Sequence, residues 1–237
     1  MQDRLLGMLE QGVLEQGVLD QGVLDLFQRW VETGRLLGWD TEHLMTQVHA
    51  RSQDLQDLTR SWVDGPGSIS PTVLLAESDP SLFLAGFISA CAHGCSVCLG
   101  NPTWTDAEWQ QVFEQIQPQI VFGKMTEGKI AWENSDQKSQ NSTYSVAQPG
   151  WILIPTGGSS GKIRFVVHTW ETLTASVQGF QAYFGVDRIN ACCTLPLYHV
   201  SGLMQLLRSL LTDGKLAIVS SKSLETKTPD FDPSEFF

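Results

Sequence analysis

Between residues 72 and 219, short and solidly apolar runs alternate with stretches of helical character, and nothing else in the sequence restricts the fold as strongly. Residues 73–75, 96–99, 119–122, 151–155, 164–168, 191–195 and 216–219 read as strands. Strands with little polar alternation are buried on both faces, as in parallel sheets. Between them, Asp79 before Pro80 predicts an N-cap and a first helical residue, opening a helix to about Ala92. Thr105 and Glu108 have the spacing of a capping box, for a helix that ends near Pro118. Two more helices are predicted over 170–184 and 200–211. This order predicts an α/β fold, a mostly parallel sheet layered with helices.

The region before residue 72 is different in kind. Residues 11–25 are a repeat of five residues, QGVL followed by Glu or Asp. Five residues advance a helix by about 140°, so Val13, Val18 and Val23 cannot share one face. Gly12, Gly17 and Gly22 weaken a helix further. Residues 1–25 therefore read as a low-complexity extension, at most a frayed helix. Helical patterns follow over 26–37 and 41–62, and a Gly/Pro loop at 65–68 closes a helical region spanning 26–66. Residues 134–148 are polar and unpatterned, the mark of a surface loop.

With 237 residues, 42% of them hydrophobic, the chain is long enough for a substantial core. Its net charge of −11 argues against a nucleic-acid partner or an anionic membrane surface. The longest apolar run, residues 82–92, is too short to span a bilayer. The N-terminus lacks the basic-then-apolar pattern of a secretory signal, so a cytoplasmic protein is expected. Cys91, His93, Cys95 and Cys98 carry groups that zinc binds. They stand among Phe, Ile, Ala, Val and Leu, where free cysteine packs as a small hydrophobe, and no metal site is expected there. His43, His49, His93 and His168 read as scattered or strand-end histidines, and the tryptophans as packing residues.

Chemistry concentrates in one segment. Thr156-Gly157-Gly158-Ser159-Ser160-Gly161-Lys162 lies between two apolar strands. Its glycines let the backbone turn tightly and bring N–H groups close to an anion, while its hydroxyls and Lys162 add donors and charge. That is the inventory of a phosphate cradle; the alternative is a flexible Gly/Ser hairpin turn. A Walker loop is excluded. It would need glycine at Thr156, Ser or Thr at Ile163, and a helix where residues 163–168 read as a strand.

The segment resembles the phosphate-binding loop of the acyl-adenylate-forming (AMP-binding) superfamily, which includes acyl-CoA ligases, firefly luciferase and peptide-synthetase adenylation domains. Thr156 to Gly161 match its pattern position by position, whereas Ile163, Arg164 and Phe165 stand where it has Pro, Lys and Gly. About forty residues on, Leu195-Pro196-Leu197-Tyr198-His199-Val200-Ser201-Gly202 resembles the superfamily's proline turn and aromatic–His pair at the start of a helix. In this form it is most similar to 2-succinylbenzoate–CoA ligases of menaquinone and phylloquinone synthesis. The run GGSSGKIRF is similar to their cyanobacterial and plastid branch.

The resemblance implies that residues 67–237 are a partial AMP-binding domain, as in the N-terminal domain of adenylate-forming enzymes, truncated. It implies that Thr156, Gly157, Gly158, Ser159, Ser160, Gly161 and Lys162 hold the phosphates of ATP. His199 would act in catalysis and, with Ser201 and Gly202, line the acyl pocket. ATP, Mg²⁺ and coenzyme A would serve an acid–CoA ligase, with adenine-, ribose- and metal-binding residues beyond this chain. Asp232 with Pro233 reads as a helix start without a helix body, so an incomplete chain, a completing partner chain or an oligomer is expected, with the chain inactive alone. The alternatives are a non-catalytic nucleotide- or partner-binding fragment, a ligase for another carboxylic acid, and a peptide-synthetase adenylation module.

Overall fold

A computed structural model describes residues 16–60, 71–123, 147–156 and 161–219. The polar loop up to residue 146, the loop at 65–68, the helix start at Asp232 and the glycines and serines at 157–160 lie outside the described residues.

Six helices and eight strands make up the described chain. In order they are α1 (Gln16–Glu32), β1 (Leu36–Leu37), α2 (Thr41–Arg60), β2 (Thr72–Leu75), α3 (Pro80–Ala92), β3 (Ser96–Leu99) and α4 (Asp106–Ile116). Then come β4 (Ile120–Phe122), β5 (Ile152–Thr156), β6 (Arg164–His168), α5 (Trp170–Phe184), β7 (Ala191–Cys193), α6 (Val200–Leu211) and β8 (Leu216–Ile218). The α/β expectation holds, with one refinement: there are two sheets. A five-stranded sheet runs β4-β2-β3-β5-β6, parallel except for the antiparallel β5–β6 hairpin. A smaller sheet runs β1-β8-β7, all parallel.

The strand alternation divides the core in two. Val73, Leu75, Val97, Leu99, Ile152 and Ile154 point to one face, into a cluster shared with α1, α2, α3 and α6. Leu74, Cys98 and Leu153 point to the other, against Trp109, Val112, Phe113 and Ile116 of α4. Helices on both faces explain why these strands read as solid apolar runs. The helix α3 is the centre of the first layer, and Phe83 through Cys91 are all buried. Cys91, Cys95 and Cys98 are buried within these clusters, and burial pushes the Cys98 thiol well above its ordinary range.

The first helical pattern ends earlier than its sequence suggests. In α1 the spacing of Val23, Phe27, Trp30 and Val31 makes one buried stripe, and one valine of the repeat thus enters the core. The helix stops at Glu32; Gly34 has φ 70°, and Leu36 and Leu37 leave the helix to pair with Leu216 and Ala217. A bidentate Arg35–Asp213 pair (2.8 and 3.3 Å) and the Trp30 indole N–H donated to the Gly214 carbonyl (2.8 Å) hold that junction. A two-residue strand has no periodicity of its own, and its partner lies far along the chain.

The helix starts match their local signals. Asp79 caps α3, its carboxylate accepting from the Ser81 and Leu82 amides at 2.8 and 3.2 Å and from the Ser81 hydroxyl at 2.6 Å. Burial opposes ionisation there, but those hydrogen bonds and the charge of His43 outweigh it and hold the carboxyl below its ordinary value. A depressed native value stabilises above the unfolded pKa, and the benefit is lost as pH falls through the native one. Asp79→Ala is therefore expected to lower stability by about 1 kcal/mol near neutrality. The difference from the parent should vanish in acid, measured by chemical denaturation across pH; a deficit independent of pH would show that the cap does not act through its ionised carboxylate.

Candidate functional site

In both sheets the carboxyl ends of the parallel strands carry the groups of interest, as expected for open α/β sheets. The carboxyl end of β5 is Thr156, where the Gly/Ser segment begins, and β6 receives the chain at Arg164. Thr156 and Arg164 are register partners, and the Thr156 hydroxyl donates to the Arg164 carbonyl at 3.3 Å. Residues 157–160, including Gly157, Gly158, Ser159 and Ser160, lie outside the described residues. Gly161 and Lys162 are exposed. Gly161 has φ 69°, a left-handed conformation that side chains other than glycine's rarely adopt.

The strand β2 runs parallel to β3, and β3 to β5, so β2 ends at the same sheet edge as Thr156. Just beyond its end, Glu77 and Ser78 face a cleft of about 290 Å³. Pro80 and Phe83 of α3, the turn from Thr194 to Tyr198 after β7, and Ile218 and Val219 at the end of β8 complete its walls. The cleft is mainly apolar with a few polar groups, the ordinary make-up of a small-molecule site. Glu77 is only 8% exposed and is approached by Arg51 of α2 at 3.8 Å, whose guanidinium lies over the Phe122 ring at 4.5 Å. Burial raises the Tyr198 phenol above its ordinary value.

The lining of the cleft stops at Tyr198, one residue before His199. His199 is exposed, its ring 4.7 Å from that of Tyr198. It is the N-cap of α6 without a side-chain capping bond; its amide donates to the Pro196 carbonyl (3.1 Å) and its carbonyl accepts from the Leu203 amide (2.9 Å). Ser201 is exposed in the first turn of α6, and Gly202 is buried. A Cβ on Gly202 would collide with the carbonyls of Leu195 and Pro196. The turn thus packs against the helix at the one residue that has no side chain. The phosphate-loop candidates and the His199 group belong to different sheets, at the carboxyl ends of β5 and β7.

Three contributors are not visible in the sequence reading. Gln111 and Gln115 of α4 bond the backbone that leaves the Gly/Ser segment, and Glu77 lines the cleft. Gln111 and Gln115 sit one helical turn apart, but glutamines on a helix carry no signal of what they meet. His93 and His43 have local partners, Ser89 carbonyl and Gln47, both at 2.8 Å. Among the described residues no group of three or more His, Cys, Asp or Glu could hold a metal ion, and no helix is long and apolar enough to cross a membrane.

No protein-family model and no curated protein matches the sequence. Solved structures do match the fold. O-succinylbenzoate coenzyme A synthetase (MenE) from Bacillus subtilis, in complex with AMP, is similar with a TM-score of 0.61 at 15% identity, over 81% of this chain and 54% of that one. The same enzyme is solved with ATP and magnesium ion. VinN in complex with L-aspartate is similar with a TM-score of 0.56 at 18% identity, over 86% of this chain and 64% of its own. The inhibitor-bound N-terminal domain of FACL13 from Mycobacterium tuberculosis has a TM-score of 0.56 at 17% identity, covering 82% and 51%. The chain has the fold of the N-terminal domain of adenylate-forming enzymes, and it spans about half the length of the first of the solved enzymes it matches.

Proposed function

We propose that this chain is the ATP- and acid-binding part of an adenylate-forming acid–CoA ligase of the cytoplasm, with 2-succinylbenzoate as the acid, in menaquinone or phylloquinone synthesis. The observation that carries the reading is the location of Thr156, Gly161 and Lys162. They flank the Gly/Ser segment at the carboxyl end of β5, in a fold shared with enzymes solved with AMP and with ATP and magnesium ion. In the first step a carboxylate oxygen of the acid attacks the α-phosphorus of ATP, the bond to the β-phosphate bridge breaks, and pyrophosphate leaves. In the second, the coenzyme A thiolate attacks the acyl carbonyl and AMP leaves.

The segment from Thr156 to Lys162 holds the β- and γ-phosphates in this reading, and its donors stabilise the charge that grows on the leaving pyrophosphate. Mg²⁺ bound with the ATP would neutralise part of the same charge. In this reading the apolar cleft walled by Tyr198 takes the body of the acid, and His199 and Ser201 follow that wall in the chain. The test is acid-dependent exchange of labelled pyrophosphate into ATP by the protein, over a panel of aryl, short-chain and long-chain acids. Exchange strongest with 2-succinylbenzoate supports the full reading. Exchange with another acid keeps the ligase and replaces the substrate. ATP binding without exchange for any acid favours a nucleotide-binding part that needs a further chain.

A further inference from the structure

The arm that leaves the Gly/Ser segment is fastened to a helix at three backbone groups. The Gln111 carboxamide oxygen accepts from the Ile163 amide at 3.2 Å, and its nitrogen donates to the Gly161 carbonyl at 3.4 Å. One turn later, the Gln115 nitrogen donates to the Ile163 carbonyl at 3.2 Å and to the Gln111 carbonyl at 3.0 Å. The Ile163 side chain is buried in the apolar cluster that contains Trp109, Val112 and Phe113 of the same helix. α4 is itself fixed by burial of those side chains and by its start, where the Glu108 carboxylate accepts from the Thr105 amide and hydroxyl, both at 2.8 Å.

Between Gly161 and Ile163 the hydrogen bonds of the described residues leave Lys162 unbonded to α4, and it is exposed. We propose that Gln111 and Gln115 are positioning residues for a nucleoside triphosphate: by clamping Gly161 and Ile163 they fix where the Lys162 ammonium stands. This rests on the phosphate-binding role given to Lys162 above. A carboxamide suits the task because one side chain both donates and accepts, so it satisfies a carbonyl and an amide two residues apart. Glutamate at 111 would keep the acceptor for Ile163 and lose the donor for Gly161; leucine would lose both.

The test is calorimetric titration of the full 237-residue chain with magnesium ATP and, separately, with AMP. Gln111→Leu is expected to raise the Kd for ATP about 10-fold, and Gln111→Glu about 3-fold, as loss of one or two hydrogen bonds implies. Affinity for AMP, which lacks the β- and γ-phosphates, should not move. In a Lys162→Ala background, Gln111→Leu should add almost nothing, since it acts through that lysine. Equal weakening of ATP and AMP, full additivity with Lys162→Ala, or unchanged ATP affinity in Gln111→Leu would overturn the clamp while leaving Lys162 its role. Should Gln111→Leu fail to fold, Gln111→Glu carries the same comparison. If Lys162→Ala itself leaves ATP affinity unchanged, the phosphate reading falls and the clamp falls with it.

Discussion

Replacing Lys162 and Ser159 together by alanine in the full-length enzyme of the proposed function is expected to slow adenylate formation about 100-fold, the scale of losing a preorganised donor to a developing anion. Affinity for the acid should change far less. The physical reason is the chain's own charge. At a net charge of −11, a polyphosphate is repelled unless a local cation and donors offset the field. Lys162 follows the left-handed Gly161 at the carboxyl edge of the sheet and is exposed to meet such a ligand. Pyrophosphate exchange for the rate and calorimetry for the acid separate the two effects. Equal losses in both, or no loss, would remove the segment from phosphate binding.

The second large effect concerns stability. Gly202→Ala places a methyl group against the carbonyls of Leu195 and Pro196, which are backbone and cannot swing aside. Overpacking of this kind costs about 3 kcal/mol, which lowers Tm by roughly 10 °C in a chain of this size. The control is Gly179→Ala in the middle of α5, where an added Cβ meets nothing within 4 Å. There the substitution is expected to stabilise by about 1 kcal/mol, from helix propensity alone. Thermal unfolding of the two variants side by side decides the matter. If they behave alike, the close approach of the 195–198 turn to α6 is wrong, and with it the shape of the cleft wall. A marked loss in Gly202→Ala assigns this glycine to packing of the turn that presents Tyr198 and His199.

Legibility in the sequence followed the range of the interaction. The α5 and α6 boundaries, Trp170–Phe184 and Val200–Leu211, agree with the sequence reading because caps and apolar spacing are local. Asp79 with Pro80, and Thr105 with Glu108, act within one turn of their helices, and both helices begin there. The Gly/Ser segment stood out as a candidate phosphate cradle because glycines, hydroxyls and a lysine stand together in it. The glutamines 111 and 115 were not, since their partners are 50 and 48 residues away and a glutamine on a helix surface is unremarkable by itself.

The sequence alone determined the class of fold, the order of strands and helices from residue 72 onward, and the two segments that carry the candidate chemistry. Tertiary structure alone decided that the strands divide between two sheets, that Leu36 and Leu37 form a strand with β8, and that Gly202 lies beneath the turn before His199. Local preferences are set by backbone sterics and side-chain periodicity, which neighbours in the sequence express. A strand of two residues, an amide that bonds another loop, or a glycine under a carbonyl is stabilised by groups as much as 184 residues away, as Trp30 is by Gly214. Such partners are chosen only when the whole core closes.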